Sequence, residues 1–311
     1  MNKNFFLLIC LIVFSGVATA QTTDLARIEY LNIPFSGSDN SIQRYRALAQ
    51  IPIPINLEEK KFFVVGLEYR HVAINIEDAE DKAAFFSPIV GTGTLRNNLV
   101  NSVERYEAYV GYTYKMSPNW RFGAKIGASI QSDLKDSPIS DDFIYDAALY
   151  FINDNDVAVE NDKTKTPYRL IVGLAYSTTP GRNFPLPLIN YNREFHPNWT
   201  YTLGVPKTNV RHYLNDSHKD ALQAFATLDN FWGNIQNNFE VAEGTAENIS
   251  MTTVITGLGY EHFFSKHLLL YVYGAHSVYT DFRLRDGNGD DVYTINDENS
   301  FYLRTGLKFK I

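Results

Sequence analysis

The chain has 311 residues, of which 45% are hydrophobic, 14% aromatic and 20% charged, and a formal net charge of −7. That acidic balance argues against nucleic acid as a partner, because phosphate binding needs a basic footprint. The single cysteine, Cys10, sits in an N-terminal apolar run, so neither disulfides nor a cysteine metal site can hold the rest of the chain together.

Residues 1–20 open with one cation, Lys3, continue as "FFLLICLIVFSGV" and reach "ATA" before Gln21. This is the order of a secretory signal peptide, with cleavage expected after Ala20. The apolar run from Phe5 to Val17 is shorter than the roughly 20 residues a spanning helix needs. A lipid-attachment reading of Cys10 fails because the apolar run continues through Phe14. The expected mature domain is 21–311. No later segment approaches a transmembrane helix, so a membrane protein made from this chain has to be a closed β-barrel.

Alternation with period 2 predicts strands near 24–33, 43–55, 61–74, 100–116, 119–131, 142–153 and 167–178, then near 187–195, 198–205, 206–214, 219–233, 249–264, 266–280 and 298–311. In "RFGAKIGASIQ", for instance, Phe122, Ala124, Ile126, Ala128 and Ile130 share one face, while Arg121, Gly123, Lys125, Gly127, Ser129 and Gln131 share the other. The outside is expected to be apolar and the inside polar and glycine-rich. The strands flanking Pro206 are short for a span of about 9 to 11 residues, so the count is 12 to 14. Short connections fall at "SPNW", "HPNW", "NDSHKD" and "FFSKH". Long polar stretches at 75–99, 132–141, 234–248 and 281–297 fall nearly all on the opposite side, with 154–166 a departure from the rule. Short periplasmic turns, longer extracellular loops and aromatics at strand ends define an all-β, antiparallel up-and-down transmembrane barrel. A soluble β-sandwich, which also alternates, is the alternative.

The ending, "FYLRTGLKFKI", alternates to its last residue. Leu307, Phe309 and Ile311 look like the C-terminal signal read by outer-membrane assembly machinery. The candidate lumen-facing residues are Arg27, Glu29, Arg46, Glu68, Arg70, Arg105, Glu107, Lys115, Arg121, Lys125, Asp146, Arg169, Glu261, Arg304 and Lys308. They admit two readings: a salt-bridge network filling the interior, or the lining of a watery path that favours anions.

No catalytic motif has mechanics that fit. His276 and Ser277 are adjacent, so they point to opposite faces of one strand, and no enzymatic activity or cofactor is expected. Asp286, Asn288, Asp290 and Asp297 have the spacing of a calcium loop, but Asp291 stands where that loop needs glycine; a polar hairpin tip is the preferred reading. The acidic loops 75–99 and 281–297 are suited by charge to divalent-bridged contact with lipopolysaccharide, and outer-membrane lipid is the expected surrounding. Oligomeric state stays open.

The stretches "GVPKTNVRHYLND" (Gly204 to Asp216), "ALQAFATLDNFWGNI", "ITGLGYEHFFSKHLLLYVYGA" (Ile255 to Ala275) and "LRTGLKFKI" resemble a family of Gram-negative outer-membrane β-barrels that carries only a domain-of-unknown-function label. The resemblance covers the mature chain and implies a barrel and its location, and no activity. On this footing the expected function is a passive pore or uptake conduit for small solutes. The rival is a non-conducting structural or surface-interaction barrel with a salt-bridged lumen and functional loops, and the remote alternative is an outer-membrane enzyme.

Overall fold

In the computed structural model, residues 24–57, 61–78, 81, 100–155, 165–180, 183–241 and 243–310 are described. The expected signal segment 1–20, Ile311 and most of the loops 75–99 and 154–166 lie outside these residues. The strands are β1 (Asp24–Pro34), β2 (Ser41–Asn56), β3 (Lys61–Asn75), β4 (Ser102–Lys115), β5 (Trp120–Ser132), β6 (Phe143–Asp154), β7 (Tyr168–Ser177) and β8 (Leu186–His196). They continue as β9 (Trp199–Gly204), β10 (Lys207–Tyr213), β11 (Asp220–Val241), β12 (Gly244–Phe263), β13 (Leu268–Arg285), β14 (Asp291–Asn296) and β15 (Phe301–Lys310). Consecutive strands pair antiparallel from β1 to β13, β13 pairs with β15, and β15 closes onto β1 with Ile28 opposite Leu307 and Asn32 opposite Leu303. The ring therefore has fourteen strands, with β14 attached to β13 outside it. Closure leaves the ring without a terminal edge strand, as a wall facing lipid requires.

The outer face carries Ile51, Leu67, Ile126, Leu174, Leu258 and Leu307, all exposed. Near the rim that carries the chain termini, rings contact one another around the wall. Phe63, Tyr112, Tyr114, Phe122 and Phe151 form one run, and Tyr168, Tyr191, Tyr201, Phe195 and Trp199 another, at centroid distances of 5.5 to 6.3 Å. An apolar band bordered by aromatics matches a bilayer and its interface.

The opposite rim, where the long connections lie, departs from the sequence expectation. The stretches 234–248 and 281–297 are not open loops. β11 and β12 run through the first as a projecting hairpin, with Phe239 opposite Ala246, and β13 and β14 form a second hairpin around 286–290. Polar residues on the exposed face masked the alternation there: Phe231, Ile235, Phe239 and Ala246 are buried, whereas Asn238 and Glu240 are exposed. The two short strands, β9 and β10, do count as separate strands, joined by a turn at Val205 and Pro206.

That low wall has a consequence for β11. Pairing with β10 stops at Thr227, and the upper half of β11 leans across the interior to reach β5, where Asn234 lies opposite Ser132. The Asp133 amide donates to the Asn234 carbonyl at 3.1 Å. The buried Asp142 carboxylate accepts from the Asn234 and Gln236 side-chain amides, each at 2.8 Å. Around this crossing an apolar core fills the loop-side half of the lumen: Leu31, Ile33, Val72, Ile74, Phe231, Ile249, Met251 and Phe282 are among its members. The expectation of a polar inside therefore holds only for the half nearer the termini.

Candidate functional site: a divided lumen

Contacts between strands that are not neighbours can only be made through the interior, and they locate a charged layer directly beneath the apolar core. Arg44 on β2 donates Nη1 to Asp229 Oδ1 at 2.7 Å and Nη2 to Oδ2 at 2.8 Å, with Asp229 on β11 at the far wall. Tyr302 Oη and Arg304 Nη2 on β15 donate to the same Asp229 Oδ2 at 2.7 and 2.5 Å. Glu29 stands 3.6 Å from Arg44 and 3.8 Å from Arg304, and accepts from Tyr271 Oη at 2.5 Å. All these groups are buried or nearly so. Two guanidiniums and two carboxylates balance in charge, which is how a low-dielectric interior tolerates ions.

The wall from β2 to β7 carries further networks. Glu68 accepts from Arg46 at 2.6 Å and Arg70 at 2.7 Å. Glu107 accepts from Arg105 at 2.6 Å and Lys125 at 2.7 Å, and Lys125 also lies 3.4 Å from Asp146. Arg121 pairs with Asp154, and Arg169 approaches the same carboxylate at 3.9 Å. Of the fifteen residues read from alternation, every one but Lys115 takes part in an ion pair among the described residues; Lys115 is the last residue of β4, beside Lys61 and Met116.

Toward the terminal rim the lumen opens into a basin of about 680 Å³. Its upper end is formed by Asn190, Lys207 and Tyr273, and its mouth by the turns carrying Lys219 and Lys266. On one wall Glu261 is held by three side chains: Arg211 Nε lies 2.8 Å from Oε2, while Tyr273 Oη and Gln223 Nε2 donate to Oε1 at 2.6 and 2.8 Å. Asp24 is held by Arg27, with Lys308 at 3.9 Å. Lys207 donates to Gln223 Oε1 at 2.9 Å and lies over the Phe225 and Tyr273 rings at 5.0 and 4.9 Å. The sequence reading missed Arg44, Asp229, Lys207, Arg211 and Lys310. Parity alone could have found two of them, because Arg44 precedes Arg46 by two positions and Lys310 follows Lys308 by two.

His71 pairs with Glu104 and His262 with Asp220, at 2.5 and 2.7 Å. Neither pair is extended to a serine hydroxyl among the described hydrogen bonds. At the calcium-like loop, the Asp286 carboxylate accepts the Asn288 and Asp290 amides at 2.9 Å, and Asp291 pairs with Arg283 and Arg285. Among the described residues no group of three or more His, Cys, Asp or Glu side chains is placed to hold a metal ion.

A closed antiparallel ring with an apolar, aromatic-bordered outside defines an outer-membrane-type β-barrel. Residues 36–310 match the family described as Domain of unknown function (DUF6268), and the chain belongs to that family. No curated protein matches it. Among solved structures it is similar to the KdgM porin in complex with disordered oligogalacturonate, with 8% identity, 92% of this chain and 99% of that one covered, and a TM-score of 0.35. It is also similar to the COG4313 outer membrane channel from Pseudomonas putida F1, with 9% identity, 95% and 98% covered, and a TM-score of 0.40. A third likeness is to the translocator domain of autotransporter NalP from Neisseria meningitidis, with 9% identity, 99% and 95% covered, and a TM-score of 0.37.

Proposed function

We propose that this is a non-enzymatic outer-membrane barrel, delivered through a cleaved leader of residues 1–20, whose lumen is shut toward the loop rim rather than standing open as a passive pore. The observation that carries this reading is the crossing of β11 to β5, locked beneath by Arg44 and Asp229 and packed above with apolar side chains. A ring of fourteen strands is wider than the roughly eight at which wall side chains alone fill the interior, so the seal needs the crossing strand. Purified protein inserted into a planar bilayer should give no sustained conductance, and the protein should fractionate with outer membranes and resist alkaline carbonate. Steady conductance from well-folded wild-type protein would overturn the closed reading.

The second reading is a gated conduit for small solutes, favoured by the basin lying directly below the seal. Under it, an Asp229→Ala variant that retains the heat-modifiable folded form should conduct where wild-type protein is silent.

A further inference from the structure

The basin at the terminal rim is charged against the trend of the chain. Seven lysine and arginine residues line it against three carboxylates, in a protein whose net charge is −7. Two of the three carboxylates are already neutralised, Asp24 by Arg27 with Lys308, and Glu261 by Arg211. The third, Glu194, lies on the β8 wall. Lys207, half-buried at the upper end, has no carboxylate within 4 Å among the described residues; an amide oxygen and two ring faces are its surroundings. Lys308 and Lys310 likewise lie over the Tyr271 and Phe263 rings, at 4.9 and 5.7 Å. Partly desolvated ammonium groups without a full counter-charge are costly, and ring faces offset only part of that cost. An anion entering the basin would supply the missing charge.

The opposite wall is polar and, apart from Glu194, uncharged. Asn190, Asn192 and Thr200 face the basin there, and the Asn190 side chain makes no hydrogen bond with described residues. Lys219 and Lys266 at the mouth place positive potential where a solute enters, and a cleft lined by one sign of charge concentrates the opposite sign. We propose that the basin binds a small solute carrying carboxylate or phosphate oxyanions, with the anionic end between Lys207 and Lys308 and a polar remainder along Asn190 and Thr200. That it is a binding pocket, and not the lower part of a pore, rests on the closed-lumen reading.

The test is isothermal titration of the full mature chain, folded in zwitterionic detergent, with citrate and separately with pyrophosphate. Saturable binding at one site is expected, weakening as sodium chloride rises because the attraction is screened. Lys207→Gln and Lys308→Gln should each lower affinity at least tenfold, whereas Lys115→Gln, outside the basin, should leave it unchanged. All three variants are first checked for the heat-modifiable folded form. Titration with micelles doped with phosphatidylglycerol separates a free solute from a lipid headgroup: heat from the doped micelles that Lys207→Gln does not alter, with none from citrate or pyrophosphate, overturns the proposal. So does binding of either anion that both lysine variants leave intact. Bilayer conductance, measured separately, overturns the closed reading without bearing on the titration heats.

Discussion

Arg44 and Asp229 are 185 positions apart in the chain and meet through two parallel hydrogen bonds across the lumen. Their strands, β2 and β11, are not neighbours on either side of the ring, so the pair ties one wall to the other. A bidentate guanidinium–carboxylate contact fixes orientation as well as distance, and here it fixes where β11 crosses. Asp229→Ala would leave both Arg44 and Arg304 short of a counter-ion in a buried layer. A loss of about 3–5 kcal/mol is expected on breaking such a pair from one side, read as a lowered denaturation midpoint of the heat-modifiable form. Replacing both partners with apolar residues, Arg44→Met with Asp229→Leu, should recover part of that loss, and strict additivity of the two single changes would count against the coupling.

The outer wall is tested at two depths. Ile126 is 62% exposed at the middle of β5 and Phe309 is 43% exposed near the terminal rim. Ile126→Arg should cost about 2–4 kcal/mol, and Phe309→Asp about 0–1 kcal/mol, since the penalty for charge falls from the bilayer midplane to the interface. If Phe309 also belongs to an assembly signal with Leu307 and Ile311, its variant should lose more folded protein in cells than its stability in detergent explains. Equal costs at the two positions would mean that the apolar face does not meet a bilayer.

The strand ring was legible because a barrel wall is a local pattern. Alternation gave twelve to fourteen strands and put Ile126 outside and Lys125 inside. Two things were hidden. The projecting part of β11 and β12 carries "NIQNNFEVAEGTAENIS", where polar residues on the exposed face dilute the period-2 signal. The partners of the charged side chains were hidden for a different reason. Glu68 bridges Arg46 and Arg70, which cross-strand neighbourhood predicts, but Asp229 finds Arg44, Tyr302 and Arg304 only because β11 departs from β10 after Thr227. That departure follows from the shortness of β9 and β10, and no single residue announces it. Lys207 and the rest of the basin were missed along with it, since the division of the lumen gives them their surroundings.

The hairpin tip between β13 and β14 gives a pH prediction. The Asp290 amide, followed by that of Asn288, holds the Asp286 carboxyl below its ordinary value. A carboxyl whose folded value is depressed contributes stability that is present above its unfolded value and is lost as pH falls through the folded one. Carboxyl NMR should place the Asp286 midpoint below the usual value of about 3.9. Exchange protection of the Asn288 and Asp290 amides, corrected for intrinsic rates, should fall over the same acid range. Asp286→Asn should remove that pH dependence while leaving the barrel melt unchanged, because the tip lies outside the ring. A midpoint at or above the ordinary value would reject the turn geometry.

Two glycines of the wall separate packing from composition. At Gly66 on β3 an added Cβ would lie 2.0 Å from Cζ of Tyr109, whereas at Gly274 on β13 it would meet nothing within 4 Å. The Tyr109 ring thus lies flat on the inner wall where β3 has no side chain, with its hydroxyl donating to Gln50 Oε1 at 2.7 Å and Lys125 Nζ over its face at 4.1 Å. Gly66→Ala must lift the ring off the wall, disturbing both contacts, and overpacking of this kind costs about 1–3 kcal/mol. Gly274→Ala should change stability by no more than about 0.5 kcal/mol, the usual range where nothing is touched. Combining Gly66→Ala with Tyr109→Ala should cost less than the sum of the two single changes, because the clash disappears with the ring. Equal effects at Gly66 and Gly274 would show that these glycines answer only to backbone preference, and that Tyr109 does not lie on the wall at Gly66.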